Sequence, residues 1–553
     1  MTGKEVERRE IESYDLKHLG IVAGIIDDIG LVEMINEELG THVQENITSG
    51  QVVKAMIVNG LGFVSAPMYL YSEFFTGKNV EELLGKGIKV EDLNDDKLGK
   101  TLDKLHEAGL TKVFIKVALK AAKHYGVDTK KIHLDASSMH VHGKYESKNE
   151  EEVTEGENKR VEEEEEFKEI EIRQGYSRSH RPDLKQFVLD LMCSEDGDVP
   201  VYFRAGSGNE QDKAVFGRLI KEFQSEVDLD TLFVSDAALY SEENLKMLEG
   251  MKWLSRVPLT IKEAKGVIDK VEEEELKEIG EGYKGGEARR EYAGIEQRWI
   301  VVESEEGKER GLRRLEKDVE KKRKEAEKEL KKVGKKKFAC NKDAKQALEE
   351  INKELKYHKI EKVEVEEKKK YLGSGRPSKD SPYETVYQVK GRVEEKEEAI
   401  EVEKKRQGKF VLATNELEEE KLNPEEVLKT YKEQQTAERG FRFLKDPLFF
   451  TSSVFLKTPR RIAALGMIMA LCLLIYTLGQ RFLRNSLETE EETIRHQSGK
   501  RTNKPTLRWV FQMFQAVHLL IVDGQKLISN LTAELEHILS FLPSPCRKYY
   551  LII

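Results

Sequence analysis

The chain has 553 residues, a length that predicts two to four domains with at least one sizeable core. Charged residues make up 35% of it, an excess typical of heat-adapted proteins and of long solvated helices. The four cysteines are scattered, which argues against a structural zinc site or a disulfide framework and favours a reduced intracellular protein. Residues 1–20 lack the apolar core of a signal peptide, so we expect a cytoplasmic protein.

The net charge of −10 is distributed unevenly. Residues 144–172 contain 13 Glu against 5 Lys and Arg, and they predict an acidic, solvated loop. Beyond Lys445 the balance turns positive. The cations there include Lys457, Arg460, Arg461, Arg481, Arg484, Lys500, Arg501, Lys504 and Arg508. Basic surface is therefore available for a phosphate backbone, and the whole-chain charge does not exclude a nucleic-acid partner.

Residues 1–125 predict a helical N-terminal domain. Ile21, Ile25, Ile26 and Ile29 recur at helical spacing, and the sequence from Ser49 opens a second periodic run. The segment shows no basic recognition helix. Binding to DNA ends and dimerisation both remain open as its role.

Residues 126–258 predict an α/β sheet domain. Three strand-like runs (KKIHLDASSMHVHG, DLKQFVLDLMC and VPVYFRAG) are followed by a helix, the strand LFVSD, a second helix and the strand KWLSRVP. This succession is typical of a mixed sheet covered by helices.

The rest of the chain divides into three parts. Residues 259–422 combine charged helical runs with alternating strand-like runs, which predicts a β-rich and helical insertion. Residues 423–455 predict one helix that begins at Asn423-Pro424 and continues through Lys445. Residues 456–553 predict a helical C-terminal region.

Two aspartates lie in the predicted sheet at positions suited to metal binding. Asp135 lies in the strand IHLDASS, and Asp236 ends the strand LFVSD. Carboxylates held on rigid strands are suitable ligands for Mg²⁺ or Mn²⁺. The alternative is that an Asp after a strand caps the following helix.

The predicted helix after Asn423 carries a third acid. Tyr431, Glu438 and Lys445 stand at seven-residue steps, with Arg442 four residues after Glu438. Seven steps of about 100° return to nearly the same face, so these groups are expected to point together over about 20 Å. The alternative is an ordinary solvated face of an amphipathic helix.

These motifs together resemble the insertion-sequence DDE transposases with a YREK signature, which are RNase H-like enzymes. The resemblance rests on the Asp135 strand, the VSDAALYSEENL segment around Asp236, the Tyr431–Glu438–Lys445 helix and the insertion before it. Residues 175–186 resemble the stretch that leads into the second strand of that fold. One position departs from the signature, because Gln434 stands where the family has Arg.

The resemblance implies an RNase H-like α/β fold and a polynucleotidyl transferase. It implies that Asp135, Asp236 and Glu438 bind two divalent ions, Mg²⁺ or Mn²⁺, for nicking and strand transfer. Tyr431 and Lys445 would contact the phosphate beside the scissile bond, and Arg439 or Arg442 would supply the cation that Gln434 lacks.

The resemblance also implies the partners. They are double-stranded DNA, as terminal inverted repeats and as target, and a second copy of the chain in a homodimer on DNA. We expect the protein at the nucleoid. The YREK group proceeds through a hairpin with a flipped base, for which Trp299 is the aromatic candidate. The alternative for Trp299 is a strand residue in a small core.

Two other functions fit parts of the sequence. An RNase H-like nuclease, or an inactive domesticated transposase, would share the fold without transposition. A membrane-anchored coiled-coil scaffold would use the charged helices and the apolar run from Ile462 to Gly479. That run is just long enough to cross a bilayer, but a helix that is apolar all round is equally expected inside a core. We predict the buried helix and no membrane partner.

Overall fold

The computed structural model describes residues 11–63, 71–141, 169–176, 181, 183–227, 229–372, 382–446, 456 and 458–552. It divides into two compact units. Unit 1 comprises Met1–Ser255 and Lys429–Ile553, and unit 2 comprises Arg256–Leu428. The predicted acidic loop, residues 144–172, lies outside the described residues except for its last four.

In the described residues, unit 1 begins with one strand, seven α-helices and a 3₁₀ turn, so this part of the chain is mainly helical. Thr48 and Gln51 form a reciprocal capping box that fixes the start of the third helix. The elements are β1 (Ile11–Asp15), α1 (Leu19–Asp28), α2 (Leu31–Leu39), α3 (Ser49–Gly60), α4 (Tyr71–Phe75), α5 (Val80–Leu84), a 3₁₀ turn (Val90–Asp92), α6 (Asp95–Glu107) and α7 (Leu110–His124).

Five strands of a mixed sheet follow in unit 1. Its elements are β2 (Lys131–Val141), β3 (Lys185–Ser194), β4 (Pro200–Gly206), α8 (Asp212–Glu226), β5 (Leu232–Ser235), α9 (Glu242–Met247) and β6 (Lys252–Val257). The strand order is β4-β3-β2-β5-β6. The first three strands pair antiparallel, whereas β5 pairs parallel with both β2 and β6. The expected RNase H-like α/β core is confirmed.

Unit 2 contains strands and charged helices, as predicted for the insertion. Four of its strands form a sheet in the order β12-β9-β8-β7, and β10 pairs antiparallel with β11. The elements are α10 (Lys262–Lys270), a 3₁₀ turn (Glu273–Glu275), β7 (Lys277–Gly280), β8 (Tyr283–Tyr292), β9 (Ile295–Ser304), α11 (Glu305–Lys335), α12 (Asn341–Glu354), β10 (His358–Tyr371), β11 (Tyr383–Glu395), α13 (Glu397–Arg406) and β12 (Lys409–Thr414).

The single helix predicted from Asn423 through Lys445 is two helices, α14 (Pro424–Lys432) and α15 (Gln435–Leu444). The predicted start is confirmed, because Asn423 and Glu426 exchange side-chain-to-backbone hydrogen bonds of 2.9 and 3.0 Å. The interruption falls at Glu433 and Gln434. The Gln434 N–H donates to the carbonyl of Tyr431, three residues earlier. This is the hydrogen bond of a 3₁₀ turn, and it interrupts the α-helical pattern.

The sequence predicted a helical C-terminal region. This part of unit 1 also contains two β-hairpins. β1 pairs with β15 and so joins the second hairpin in a three-stranded sheet. The elements are α16 (Pro459–Thr489), β13 (Ile494–Arg495), β14 (Arg501–Thr502), α17 (Leu507–Met513), β15 (His518–Val522), β16 (Gln525–Ser529), α18 (Ala533–Ser540) and α19 (Ser544–Tyr549).

The long helix α16 lies in the centre of unit 1. It is apolar and long enough to cross a membrane, yet 89% of its most apolar 18-residue stretch is buried inside the protein. Residues of α16 share one hydrophobic core with the N-terminal helices, strand β3 and the C-terminal segment, as Leu471, Ile25, Leu189 and Cys546 exemplify. The segment is a buried core helix, as predicted.

Candidate active site

Asp135 and Asp236 lie next to each other on neighbouring parallel strands. The register of β2 against β5 ends with Leu134 opposite Ser235, so the next residue on each strand is an aspartate. Both side chains are half-buried. Apolar residues on either side (Leu134, Ala136 and Val234) are buried and fix the strands beneath them. The sheet therefore places two carboxylates at one level of its surface.

The backbone orients both carboxylates. The Ala136 N–H donates a 2.8 Å hydrogen bond to Oδ1 of Asp135, and the Ala238 N–H donates one of 2.8 Å to Oδ1 of Asp236. The Ser255 hydroxyl donates to the Asp236 carbonyl at 2.7 Å and so holds the loop after β5. Each aspartate is thus fixed by more than its own rotamer preference.

Asp236 is not the cap of the following helix, the alternative that its sequence position left open. Helix α9 begins at Glu242, and its N-cap is Ser241, whose side chain accepts a hydrogen bond from the Asn244 N–H. The Asp236 side chain instead closes a turn with Ala238. Its place after the strand is therefore not explained by helix capping.

Helix α15 carries Glu438 in its first turn and packs on strands β2 and β3. Its buried face consists of Ala437, Phe441 and Leu444, whereas Glu438 and Arg442 are exposed. Gly440 lets the helix approach α16 closely, because a Cβ there would lie only 3.1 Å from Leu473. The helix is held against the sheet that carries Asp135, with its acid on the open side.

Lys445, at the end of α15, reaches the Asp135 strand. Its Nζ donates a 2.7 Å hydrogen bond to Oγ of Ser137. Ser137 is two residues beyond Asp135 and therefore on the same face of β2. The ammonium group is thus placed beside the position of the Asp135 carboxylate.

Arg439 is exposed and makes an intramolecular ion pair. Its Nε and Nη2 donate to the two carboxylate oxygens of Asp198 at 2.7 and 2.6 Å. Asp198 lies in the β3–β4 turn with a left-handed backbone (φ 61°). The Asp198 carboxylate raises the pKa of Arg439. In this structure Arg439, one of two candidates for a phosphate contact, fastens α15 to the sheet, while Arg442 stays on the exposed side.

The remaining predicted site residues are placed differently. Tyr431 belongs to α14 and Gln434 to the interruption. Because the helix is interrupted between Tyr431 and Glu438, their seven-residue spacing does not place them on one helix face. Both side chains are half-buried. Trp299 lies in β9 of unit 2, where it is 1% exposed and its indole N–H donates to Oε1 of Gln297 at 3.0 Å. Its surroundings are those of a core residue.

Asp135 and Asp236 follow directly on the last paired residues of β2 and β5 and each supply carboxylate oxygens, the ligand type that Mg²⁺ and Mn²⁺ prefer. Within the described part of the chain, no three His, Cys, Asp or Glu side chains are grouped closely enough to hold a metal ion. The two aspartates therefore fit a cation, and Glu438 is not gathered with them.

Three residues that contact this site were not predicted from the sequence: Ser137, Asp198 and Ser255. Ser137 carried a usable signal, because its i+2 spacing from Asp135 puts it on the same strand face. Asp198 and Ser255 carried none, since their partners Arg439 and Asp236 are defined only by the folded chain.

A family model described as the transposase DDE domain matches residues 128–475, more than half of the chain, and the chain belongs to this family. A second model, a domain of unknown function (DUF4277), matches residues 11–119. No curated protein matches the chain.

Among solved structures, the chain is similar to the piggyBac transposase in a cryo-electron microscopy structure of its synaptic complex with hairpin DNA. The identity is 11%, the TM-score is 0.35, and the match covers 90% of this chain and 79% of that chain.

Proposed function

We propose that this protein is an active DNA transposase that nicks and joins DNA at the ends of its own element. The observation that carries the proposal is the pair Asp135 and Asp236, side by side on β2 and β5 in a chain of the transposase DDE family. Members of this family generally use divalent metal ions. Paired, oriented carboxylates on a rigid sheet are what such an ion requires.

Asp135, Asp236 and Glu438 would hold the metal. When bound, divalent ions supply Lewis acidity for phosphodiester chemistry. The two aspartates keep their carboxylates in place through the amides of Ala136 and Ala238, so little reorganisation is needed when a cation binds.

Glu438 joins the two aspartates when DNA is bound. It is exposed in the first turn of α15, which begins directly after the break at Glu433 and Gln434. A break between two helices is a place where one helix turns relative to the other without unwinding either.

The cations of α15 position the phosphate beside the scissile bond. Lys445 already lies two residues along β2 from Asp135, through Ser137. Arg442, exposed on the next turn after Glu438, takes the place of the cation that Gln434 does not supply. Tyr431 adds a hydroxyl to the same phosphate. Charge and hydroxyl contacts of this kind fix register and orientation on the duplex.

Several finer features rest on the YREK-like motif around Glu438 and belong to the same proposal. The reaction proceeds by cut-and-paste through a hairpin, with Mg²⁺ or Mn²⁺ as two ions. The DNA partners are the terminal inverted repeats and a target duplex, bound by a homodimer. The place of action is the nucleoid in the cytoplasm. A stacking role for Trp299 in this reaction requires that its buried ring become exposed.

The experiment uses the purified full chain and a supercoiled plasmid that carries the gene with its natural flanking DNA. With Mg²⁺ we expect release of a defined fragment and its joining to a second plasmid, with no products in EDTA. Cleavage without joining would identify a nuclease on the same fold, and no cleavage in Mg²⁺ or Mn²⁺ would contradict the proposal.

A further inference from the structure

Residues 493–508 form a strongly basic surface, here called the basic hairpin. They include β13, β14, the turn between them and the segment that leads into α17. The stretch contains five cations and no acid, in a chain of net charge −10. The cations are Arg495, Lys500, Arg501, Lys504 and Arg508. Such a local excess of positive charge favours the binding of an anionic partner.

The cations of the basic hairpin differ in what they already bind. Arg501 donates from Nε to the Thr493 hydroxyl at 3.0 Å and from Nη2 to the Thr493 carbonyl, so its guanidinium helps to close the hairpin. Arg495, Lys500 and Lys504 are exposed, and within the described ranges no carboxylate forms an ion pair with them. These three charges are available to a partner.

The basic hairpin is held rigidly on the protein. The Trp509 indole N–H donates to the Arg495 carbonyl at 2.7 Å, and Nε of Arg484 on α16 donates to the Pro505 carbonyl at 2.8 Å. Ile494 is 1% exposed and anchors the first strand in the core. The backbone that carries these charges is therefore fixed, which lowers the entropy cost of binding to phosphates.

The basic hairpin is linked to the helix that carries Glu438. Nη1 of Arg508, at its C-terminal end, lies 2.5 Å from Oδ2 of Asp446. Asp446 directly follows Lys445, whose Nζ contacts Ser137 on the Asp135 strand. A continuous path of contacts thus runs from the candidate active site to the basic hairpin.

We propose that the basic hairpin binds the phosphate backbone of duplex DNA on one side of the cleaved bond. This inference rests on the proposed function and adds a binding surface to it. Arg495, Lys500 and Lys504 make the contacts, whereas Arg501 and Arg508 maintain the shape and place of the hairpin. Contacts to phosphates position the duplex and read no sequence.

The test measures equilibrium binding of the full chain to a fluorescein-labelled duplex of arbitrary sequence, by anisotropy over a series of NaCl concentrations. The variant carries Arg495→Ala, Lys500→Ala and Lys504→Ala. The matched control carries Arg314→Ala, Lys317→Ala and Lys321→Ala on α11 of unit 2. It removes the same three charges from another exposed segment. Thermal unfolding checks that both variants fold.

Each phosphate contact contributes about 0.9 to the slope of log Kd against log salt, so the hairpin variant should lose about 2 to 3 from the slope. The control should keep the wild-type slope. An unchanged slope in the hairpin variant, or an equal loss in the control, would overturn the inference. If the wild type cleaves its plasmid while the hairpin variant binds normally, the inference fails alone. If the wild type neither binds nor cleaves, the proposed function fails.

Discussion

Lys445 and Ser137 are 308 residues apart in the chain, yet Nζ of Lys445 donates a 2.7 Å hydrogen bond to Oγ of Ser137. This contact joins the end of α15 to the strand of Asp135, two residues from the carboxylate. Under the proposed function, this ammonium group contacts the phosphate beside the scissile bond.

Replacing Lys445 by Ala should weaken binding to nicked or cleaved ends about tenfold, and binding to uncut duplex less. A charge-assisted hydrogen bond to a phosphate contributes about 1.5 kcal/mol or more, and it matters most where that phosphate is being rearranged. Ser137→Ala should have a smaller effect, since the ammonium group remains. Gel-shift titrations at fixed salt measure this. The matched control is Lys429→Ala on α14, an exposed position. Equal losses on both substrates for Lys445→Ala would make it a general backbone contact.

Replacement of Arg442 and replacement of Arg439 should differ in their effects on DNA affinity. Arg439 is engaged with both oxygens of Asp198, whereas Arg442 is exposed on the same helix. Arg442→Ala should weaken duplex binding several-fold, and Arg439→Ala should mainly lower the unfolding temperature. Anisotropy titrations and thermal unfolding of the two variants provide the comparison. A larger loss of DNA affinity for Arg439→Ala than for Arg442→Ala would show that the ion pair opens to the phosphate.

His18 should make the protein less stable in mild acid. Its Nε2–H donates to the Leu61 carbonyl and its Nδ1 accepts from the Gln515 amide, each at 2.8 Å, so the buried ring is neutral. Burial lowers the pKa of His18 to about 4. Because the unfolded chain takes up the proton first, this stability is complete above about pH 6.5 and is lost as the pH falls towards 4.

Urea unfolding at pH 7 and pH 4.5 measures the effect. His18→Gln removes the titrating group, so between these pH values the wild type should lose roughly 2 to 3 kcal/mol more than the variant. The control His42→Gln, at an exposed position, should behave as the wild type. Identical pH dependence in wild type and His18→Gln would contradict the neutral buried ring.

Helix α16 should not anchor the chain in a membrane, because its apolar surface is already buried against the other elements of unit 1. Cells that express the full chain are lysed without detergent and centrifuged at high speed. We expect the chain in the supernatant. A chain that remains with the membrane pellet and resists alkaline carbonate would contradict this and reopen the anchored-scaffold hypothesis.

Periodicity and turn chemistry predicted most elements of the fold, because apolar residues alternate along the first half of β2, form short apolar runs in β3 and β4, and recur at helical spacing in α1, α3 and α8. The break at Gln434 was not predicted, since nothing in KEQQTAER, residues 432–439, is a helix breaker. The two C-terminal hairpins were also missed. β13 and β14 have two residues each, too short for a periodic signal.

The candidate site was predictable only in part. Asp135 and Asp236 could be named from their strand positions, and their adjacency follows from the parallel pairing of β2 and β5. The Arg439–Asp198 pair joins residues 241 positions apart, and only tertiary packing brings them together. Likewise the burial of Trp299 depends on the sheet of unit 2, which no local pattern defines.

Isosteric substitution tests most directly whether Asp135 and Asp236 act as metal ligands in DNA cleavage. Asn can accept the same hydrogen bonds from Ala136 and Ala238, so Asp135→Asn and Asp236→Asn should fold normally and bind duplex DNA. Asp523→Asn, in an exposed turn with φ 50°, is the matched control.

Cleavage of end-labelled element DNA is followed in Mg²⁺ and Mn²⁺. We expect each active-site variant to lose at least about 100-fold in rate, since a lost ligand removes several kcal/mol of transition-state stabilisation, and Asp523→Asn to cleave as the wild type does. Cleavage by Asp135→Asn or Asp236→Asn within threefold of wild type would contradict this expectation.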